Sequence, residues 1–244
     1  MRKALKEVRN SARKQEVSTE RHSKIVGLFK EFILGGQDGL VNVLGVILGV
    51  AVATMDFKII LIAGLAATFA ESFSMAAVAY TSAKAEEDYY FSEQDKENFE
   101  IKTVPGIETQ EIYDIYFKKG FRGRLLDEIV KKIVSSKKMW LDVMMKEELG
   151  LSKAFIHPVK SAIVVGLAAL MGSFIPLISF FFLPISTAII ASLIISALAL
   201  FVTGAIEGKM TIGRWIKNGF QLMIIGMAAA GIGFLIGKWL GVSI

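Results

Sequence analysis

Apolar positions along this chain of 244 residues gather into five runs, separated by polar stretches of very unequal length. A hydrocarbon core of about 30 Å takes about 20 apolar residues in a helix, and each run reaches that length. The first extends from about Phe32 to Met55, with Asp38 near its start. A tight turn at Asp56-Phe57-Lys58 leads to the second, about Ile59 to Ala83, which contains Glu71. Pro158 opens the third, which continues to about Leu183; Pro184 starts the fourth, ending near Ile206; the fifth covers about Phe220 to Leu240. Proline is tolerated in a first helical turn, so Pro158 and Pro184 mark helix starts. Pro176, inside the third run, predicts a kink unless that helix ends early.

Between the second and third runs, residues 84–157 are too long and too patterned for a simple loop. Helix-favouring residues fill Ala83 to Ile101, Val104-Pro105-Gly106 interrupts them, and a second helix is predicted from about Glu108 to Lys119, with Gly120 as its C-cap. A third, amphipathic helix carries Leu125, Leu126, Ile129, Val130, Ile133 and Val134 on one stripe. The pattern predicts an all-α integral membrane protein: five transmembrane helices, with a three-helix cytoplasmic domain inserted between spans 2 and 3. Its segments are a basic arm (1–30), spans 1 and 2 (31–83), the insertion (84–157) and spans 3 to 5 (158–242).

Composition agrees. Hydrophobic residues make up 53% and charged ones 21%, and the mean hydropathy is +0.53. The net charge of +5 suggests nucleic acid until its placement is considered. Arg2, Lys3, Lys6, Arg9, Arg13, Lys14, Arg21, Lys24 and Lys30 all precede the first span, which places the N-terminus in the cytoplasm. Alternation then puts the 84–157 segment inside and the C-terminus outside. Lys209, Arg214 and Lys217 fall on the inner side, and Lys238 snorkels to the far interface. The arm reads as a surface helix drawn to anionic lipid or as a solvated topogenic tail, and the second is the plainer reading. It contains no apolar h-region, so no cleaved signal is expected.

With no Cys and only two His, thiol catalysis, Cys-ligated metal and most histidine chemistry are excluded. Glu-x-x-His, EF-hand, His-Glu-x-x-His and P-loop patterns do not occur. No nucleophile–base arrangement suggests an enzyme, and no cofactor is expected.

Intramembrane carboxylates are costly and mark a pathway or a partner. Glu31 and Asp38 are seven residues apart, on one face of the first helix. Glu71 and Met75 share a face of the second, with Ser72 and Ser74 beside them. Singly, each has a structural explanation, such as a cap or an ion pair. Two acidic faces in adjacent spans, one with a thioether, suit a divalent transition metal of intermediate softness such as Fe²⁺ or Mn²⁺.

The insertion repeats an acidic spacing. Glu97 and Glu100 are i, i+3, as are Glu108 and Glu111, while Met144 and Glu148 are i, i+4 with Met145 between them. Folding these segments together would gather carboxylates and thioethers. From spacing alone, a solvated charged face explains them better.

These residues resemble the vacuolar iron transporter family, also called the iron/manganese transporter family. The resemblance is carried by Gly36-Gln37-Asp38-Gly39-Leu40-Val41, Glu71-Ser72-Phe73-Ser74-Met75-Ala76, Met144-Met145-Lys146-Glu147-Glu148-Leu149-Gly150-Leu151 and the closing Gly/Ala-rich spans. It covers about residues 25–242. It implies a proton-coupled exporter of cytosolic Fe²⁺, working as a homodimer with the ion path between the subunits' first two spans. It implies Glu31, Asp38 and Met75 along the path, and Glu97, Glu100, Glu108, Glu111, Met144, Met145 and Glu148 as cytoplasmic metal ligands, which overturns the solvated-face reading. Plant members carry a Glu shortly after the second-span Met, where this chain has Val78-Ala79-Tyr80; Glu71, one turn before Met75, stands in for it.

The sequence thus points to Fe²⁺ or Mn²⁺ leaving the cytosol in exchange for protons. The alternative is a membrane-anchored metal sensor or storage protein that transports nothing. Gly45-x-x-x-Gly49 and Gly233-x-x-x-Gly237-x-x-x-Gly241 permit close helix contact, and the first pair is expected at a dimer axis.

Overall fold

The computed structural model describes residues 2–151, 157–210 and 213–241, with side chains from Val26 onward. The side chains of the basic arm before Val26, and with them the choice between surface helix and solvated tail, lie outside the described residues. The described chain is helical: α1 (Arg2–Thr54), α2 (Phe57–Thr103), α3 (Pro105–Lys118), α4 (Gly123–Val134), α5 (Lys137–Val143), α6 (Pro158–Phe182), α7 (Ile185–Met210) and α8 (Trp215–Gly241). A π-helical turn, Met144–Glu148, continues α5. Five of these helices contain a stretch long and apolar enough to cross a membrane.

The chain forms two compact units, one of residues 1–80 with 158–244 and the other of residues 81–157. In the first, the membrane unit, α1 is the central element. Leu40, Val43, Leu44, Ile47, Leu48 and Ala51 on it are all but completely buried. On the other spans many large apolar side chains, among them Ile62, Phe73, Leu198, Ile224 and Leu235, point outward. Such a surface suits hydrocarbon, in which burying more apolar area brings no gain and close packing must hold the helices together.

Glycines supply that packing. A Cβ on Gly35 would overlap the Val165 backbone, and one on Gly39 the Ala169 backbone, so α1 and α6 touch main chain to main chain and run parallel. Gly233 and Gly237 abut the backbones of Gly45 and Gly49 in the same way, and Gly241 meets Ala53. The two glycine motifs therefore pack on each other within one chain, parallel along α1 and α8. Gly45 and Gly49 thus meet α8 of their own chain, since small residues mark close approach but do not say to which helix. Gly204 and Gly208 of α7 meet Asn218 of α8, and that pair is antiparallel.

The turns follow their sequence cues. The Asp56 carboxylate accepts from the backbone N–H of Lys58 and Ile59, at 2.8 and 3.1 Å, and so caps α2. Pro158 begins α6, whereas Pro184 sits just before α7 and its carbonyl accepts the first bonds of that helix. α6 continues through Pro176 to Phe182 rather than ending early. The Pro176 carbonyl accepts the Ser192 hydroxyl at 2.9 Å.

The second, inserted unit differs from the three-helix expectation. The helix expected from Ala83 is the continuation of α2, unbroken to Thr103, and a fourth segment, α5 with its π turn, follows α4. Ser136 caps α5 by accepting from the Met139 N–H. The unit's core consists of Ile101, Ile112, Leu126, Val130, Ile133, Trp140 and Met144, drawn from all four segments.

Candidate metal sites

In the membrane unit, Asp38 on α1 and Glu71 on α2 are both half-buried. Their carboxyl groups lie within hydrogen-bonding reach of each other, and the Asn42 amide donates to Glu71. Asn42 follows Asp38 by one turn, so α1 presents acid and amide on one face. The spacing i, i+4 from Asp38 was the available signal for Asn42. Met75, one turn beyond Glu71, is half-buried.

The hydroxyls near Glu71 are already used. Ser72 donates to the Thr68 carbonyl at 2.6 Å, and Thr68 to that of Gly64 at 2.8 Å. These groups serve their own helix backbone. Glu31 accepts the Ser161 hydroxyl at 2.7 Å, a contact 130 residues apart in sequence that no local pattern contained. Its second carboxylate oxygen is buried without a partner among the described residues.

Two carboxyl groups in contact inside a span have a simple chemistry. Both ionised, they repel each other in a medium of low dielectric. A divalent cation between them neutralises the pair, and so do two protons. The site is therefore suited to holding one or the other.

The inserted unit brings the predicted Glu residues together. Glu97, near the end of α2, and Glu108, in the first turn of α3, are 3% and 4% exposed. One carboxylate oxygen of each is buried without a partner among the described residues. Burial, then the charges of Glu148, Glu100 and Glu111, push the Glu97 carboxyl up to about 7, against the pull of Lys96. Burial, then Glu111, Glu97, Glu100 and Glu148, do the same for Glu108, again to about 7. The exposed Glu148 is raised as well, by desolvation and by Glu111 and Glu100. Five carboxylates thus share one electrostatic neighbourhood, although among the described residues no three converge on a common point as ligands of a bound ion would.

The thioethers are placed differently. Met144 is part of the unit's apolar core, and Met145 is 2% exposed. The π turn makes consecutive methionines both face inward while Lys146, Glu147 and Glu148 face water. Its closing bonds run from the Leu149 N–H to the Met144 carbonyl and from the Leu151 N–H to that of Met145. Lys119, which follows α3, forms an ion pair with Glu147 and thereby ties the end of α3 to the turn.

Residues 29–238 match the model of the VIT family. The chain is 34% identical over 221 residues to vacuolar iron transporter 1 of Tulipa gesneriana, covering 90% of each chain. It is 32% identical over 222 residues to vacuolar iron transporter 1 of Arabidopsis thaliana, covering 90% of this chain and 89% of the other. The vacuolar iron transporter of Plasmodium falciparum is 28% identical over 229 residues, 89% of this chain and 84% of that one.

Proposed function

The chain belongs to the VIT family, and from that premise we propose that it is a secondary transporter moving Fe²⁺, or Mn²⁺, out of the cytosol in exchange for protons. The observation that carries this reading is the contact between Asp38 and Glu71 inside the spans, with Asn42 donating to it. A site that is stable when it holds either one divalent ion or two protons, and costly when empty and ionised, couples the two flows in opposite directions. The half-buried thioether of Met75 softens the site toward transition metals. The relatives are named vacuolar iron transporters, which supports iron as the cargo.

In this reading the inserted unit faces the cytosol and concentrates the metal. Glu97, Glu100, Glu108, Glu111 and Glu148 supply the charge, and Met144 and Met145 add the preference for softer ions. The carboxylates converge when metal binds, and the raised Glu97 and Glu108 release their protons as it does. The protein works as a homodimer, with its N-terminus in the cytosol and its C-terminus on the far side of the cell membrane, or of a vacuolar membrane in a host that has one. Lys30, Lys160, Lys209, Arg214 and Lys217 lie at one end of the membrane unit, where the candidate spans of α1, α6 and α8 begin and α7 ends. Asp56, Lys58 and Lys238 lie at the other, and this balance supports the orientation.

The test is metal flux in proteoliposomes carrying a trapped Fe²⁺ indicator. Uptake should follow an imposed pH gradient and stop when a protonophore collapses it. Binding of Fe²⁺ without flux would assign the protein to the sensor or storage class instead.

A further inference from the structure

A cavity lies on the side of α1 that the carboxylates do not occupy. Asp38 and Asn42 share one face of that helix. Phe29, Ile33, Gly36, Gln37 and Leu40 share another, at spacings of three and four, and they line a cavity of about 290 Å³ between α1, α6 and α7. Met171 of α6 and Thr203 and Ile206 of α7 complete its wall. The lining is almost wholly apolar, with the Gln37 amide and the Thr203 hydroxyl as its polar side chains. Phe32, Met171 and Ile206 are themselves exposed, so the cavity opens toward the surface that faces hydrocarbon.

Phe29 and Ile206 bring one end of its lining close to the basic end of the membrane unit. Lys30 adjoins the lining residue Phe29, and Lys209 follows Ile206 by three residues, near the end of α7. Both are exposed, as are Lys160, Arg214 and Lys217 at the same end. None of the five makes an ion pair among the described residues. Two carboxylates share this end, Glu31 and Glu207, and Glu31 already accepts the Ser161 hydroxyl. An apolar slot beside exposed cations that make no ion pair among the described residues has the chemistry to take an amphiphile with an anionic head.

We propose that this crevice holds one acyl chain of an anionic phospholipid, whose phosphate is held by Lys30 and Lys209. The site wedges lipid between the central helix and α6 and α7, and it can bias their packing without touching the metal pathway. The proposal rests on the membrane reading alone and does not depend on the cargo.

The experiment uses the full-length protein in nanodiscs of phosphatidylglycerol, phosphatidylcholine or equal parts of both, with bound phospholipid counted by native mass spectrometry after release into detergent. Wild type should retain phosphatidylglycerol over phosphatidylcholine by about tenfold, a preference that Lys30→Gln with Lys209→Gln should reduce to below about threefold. Thr203→Trp, which fills the cavity, should remove one retained lipid while Fe²⁺ binding is unchanged; Met171→Phe narrows the same slot from α6 should the first variant not fold. Equal retention of both lipids by wild type would overturn the proposal, as would an unchanged lipid count in the folded cavity-filling variants. So would a change of oligomeric state in those variants at constant lipid count, because the occupant would then be a second copy of the chain.

Discussion

The membrane unit and the inserted unit both gather acidic side chains, yet different forces hold the two together. In the inserted unit large apolar groups such as Ile112, Leu126 and Trp140 are buried against one another, each contributing about 1.5–3 kcal/mol. That core tolerates five carboxylates at its edge, two of which, Glu97 and Glu108, are pushed up to about 7. In the membrane unit many large apolar groups of the outer spans point outward while those of α1 are buried, and the closest contacts are made by glycine against backbone. There Asp38 and Glu71 form one pair with an amide donor, while Glu31 accepts the Ser161 hydroxyl. In the proposed transport cycle a cluster suits the unit that would load metal from water, and a minimal pair suits the path that must release it.

The sharpest way to break this comparison is at Asp38. Asp38→Asn keeps the volume and removes the charge; transport in proteoliposomes should fall by at least about 100-fold, or about 2.7 kcal/mol in the barrier. Fe²⁺ binding by the inserted unit should persist. Near-normal flux through Asp38→Asn would place the exchange site elsewhere.

The packing contrast makes the next prediction. Gly172→Ala and Gly237→Ala drive a methyl group into the backbones of Gly36 and Gly49, and each should destabilise the membrane unit by about 2–4 kcal/mol. Gly106→Ala in the inserted unit meets nothing within 4 Å and should change stability by under about 0.5 kcal/mol. Thermal unfolding in detergent separates the cases, and equal effects would show that backbone contact is not what holds the membrane helices.

Titration tests the two carboxyls held near 7. Below the ordinary value of 4.5, Glu97 and Glu108 are protonated whether the unit is folded or not. Between 4.5 and about 7 the unfolded chain has released those protons while the folded unit keeps them. Stability of the metal-free inserted unit should therefore fall as pH rises through this window, by about 1–3 kcal/mol for each group. Hydrogen exchange within residues 81–157 should show it, and Glu97→Gln with Glu108→Gln should flatten the profile. Fe²⁺ should reverse the trend, binding more tightly as pH rises.

Smaller effects are expected at the π turn. Met144→Leu keeps the buried volume but removes the sulfur, and should lower the preference for Fe²⁺ over Ca²⁺ by about three- to tenfold in equilibrium binding to the full-length protein. Lys119→Met removes an exposed ion pair with Glu147 and should cost under about 1 kcal/mol in thermal stability; a larger loss would make the clasp a principal support of the turn.

The sequence by itself determined the spans, because an apolar run of bilayer length has few other ways to satisfy its backbone. It also determined which carboxylates merit attention, because acids in such runs and paired acids in amphipathic segments are visible as chemistry at fixed spacing. The residues joining distant segments were not legible. Ser161 reaches Glu31, Asn42 serves Glu71 rather than its own helix, and the two glycine motifs find each other. The continuity of α2 past Ala83 was hidden as well, since helix propensity is equally high on both sides of the expected boundary. Periodicity records which face of a helix is special. Only tertiary packing decides which neighbour that face meets, because the partner's identity is stored in shape complementarity across more than a hundred residues.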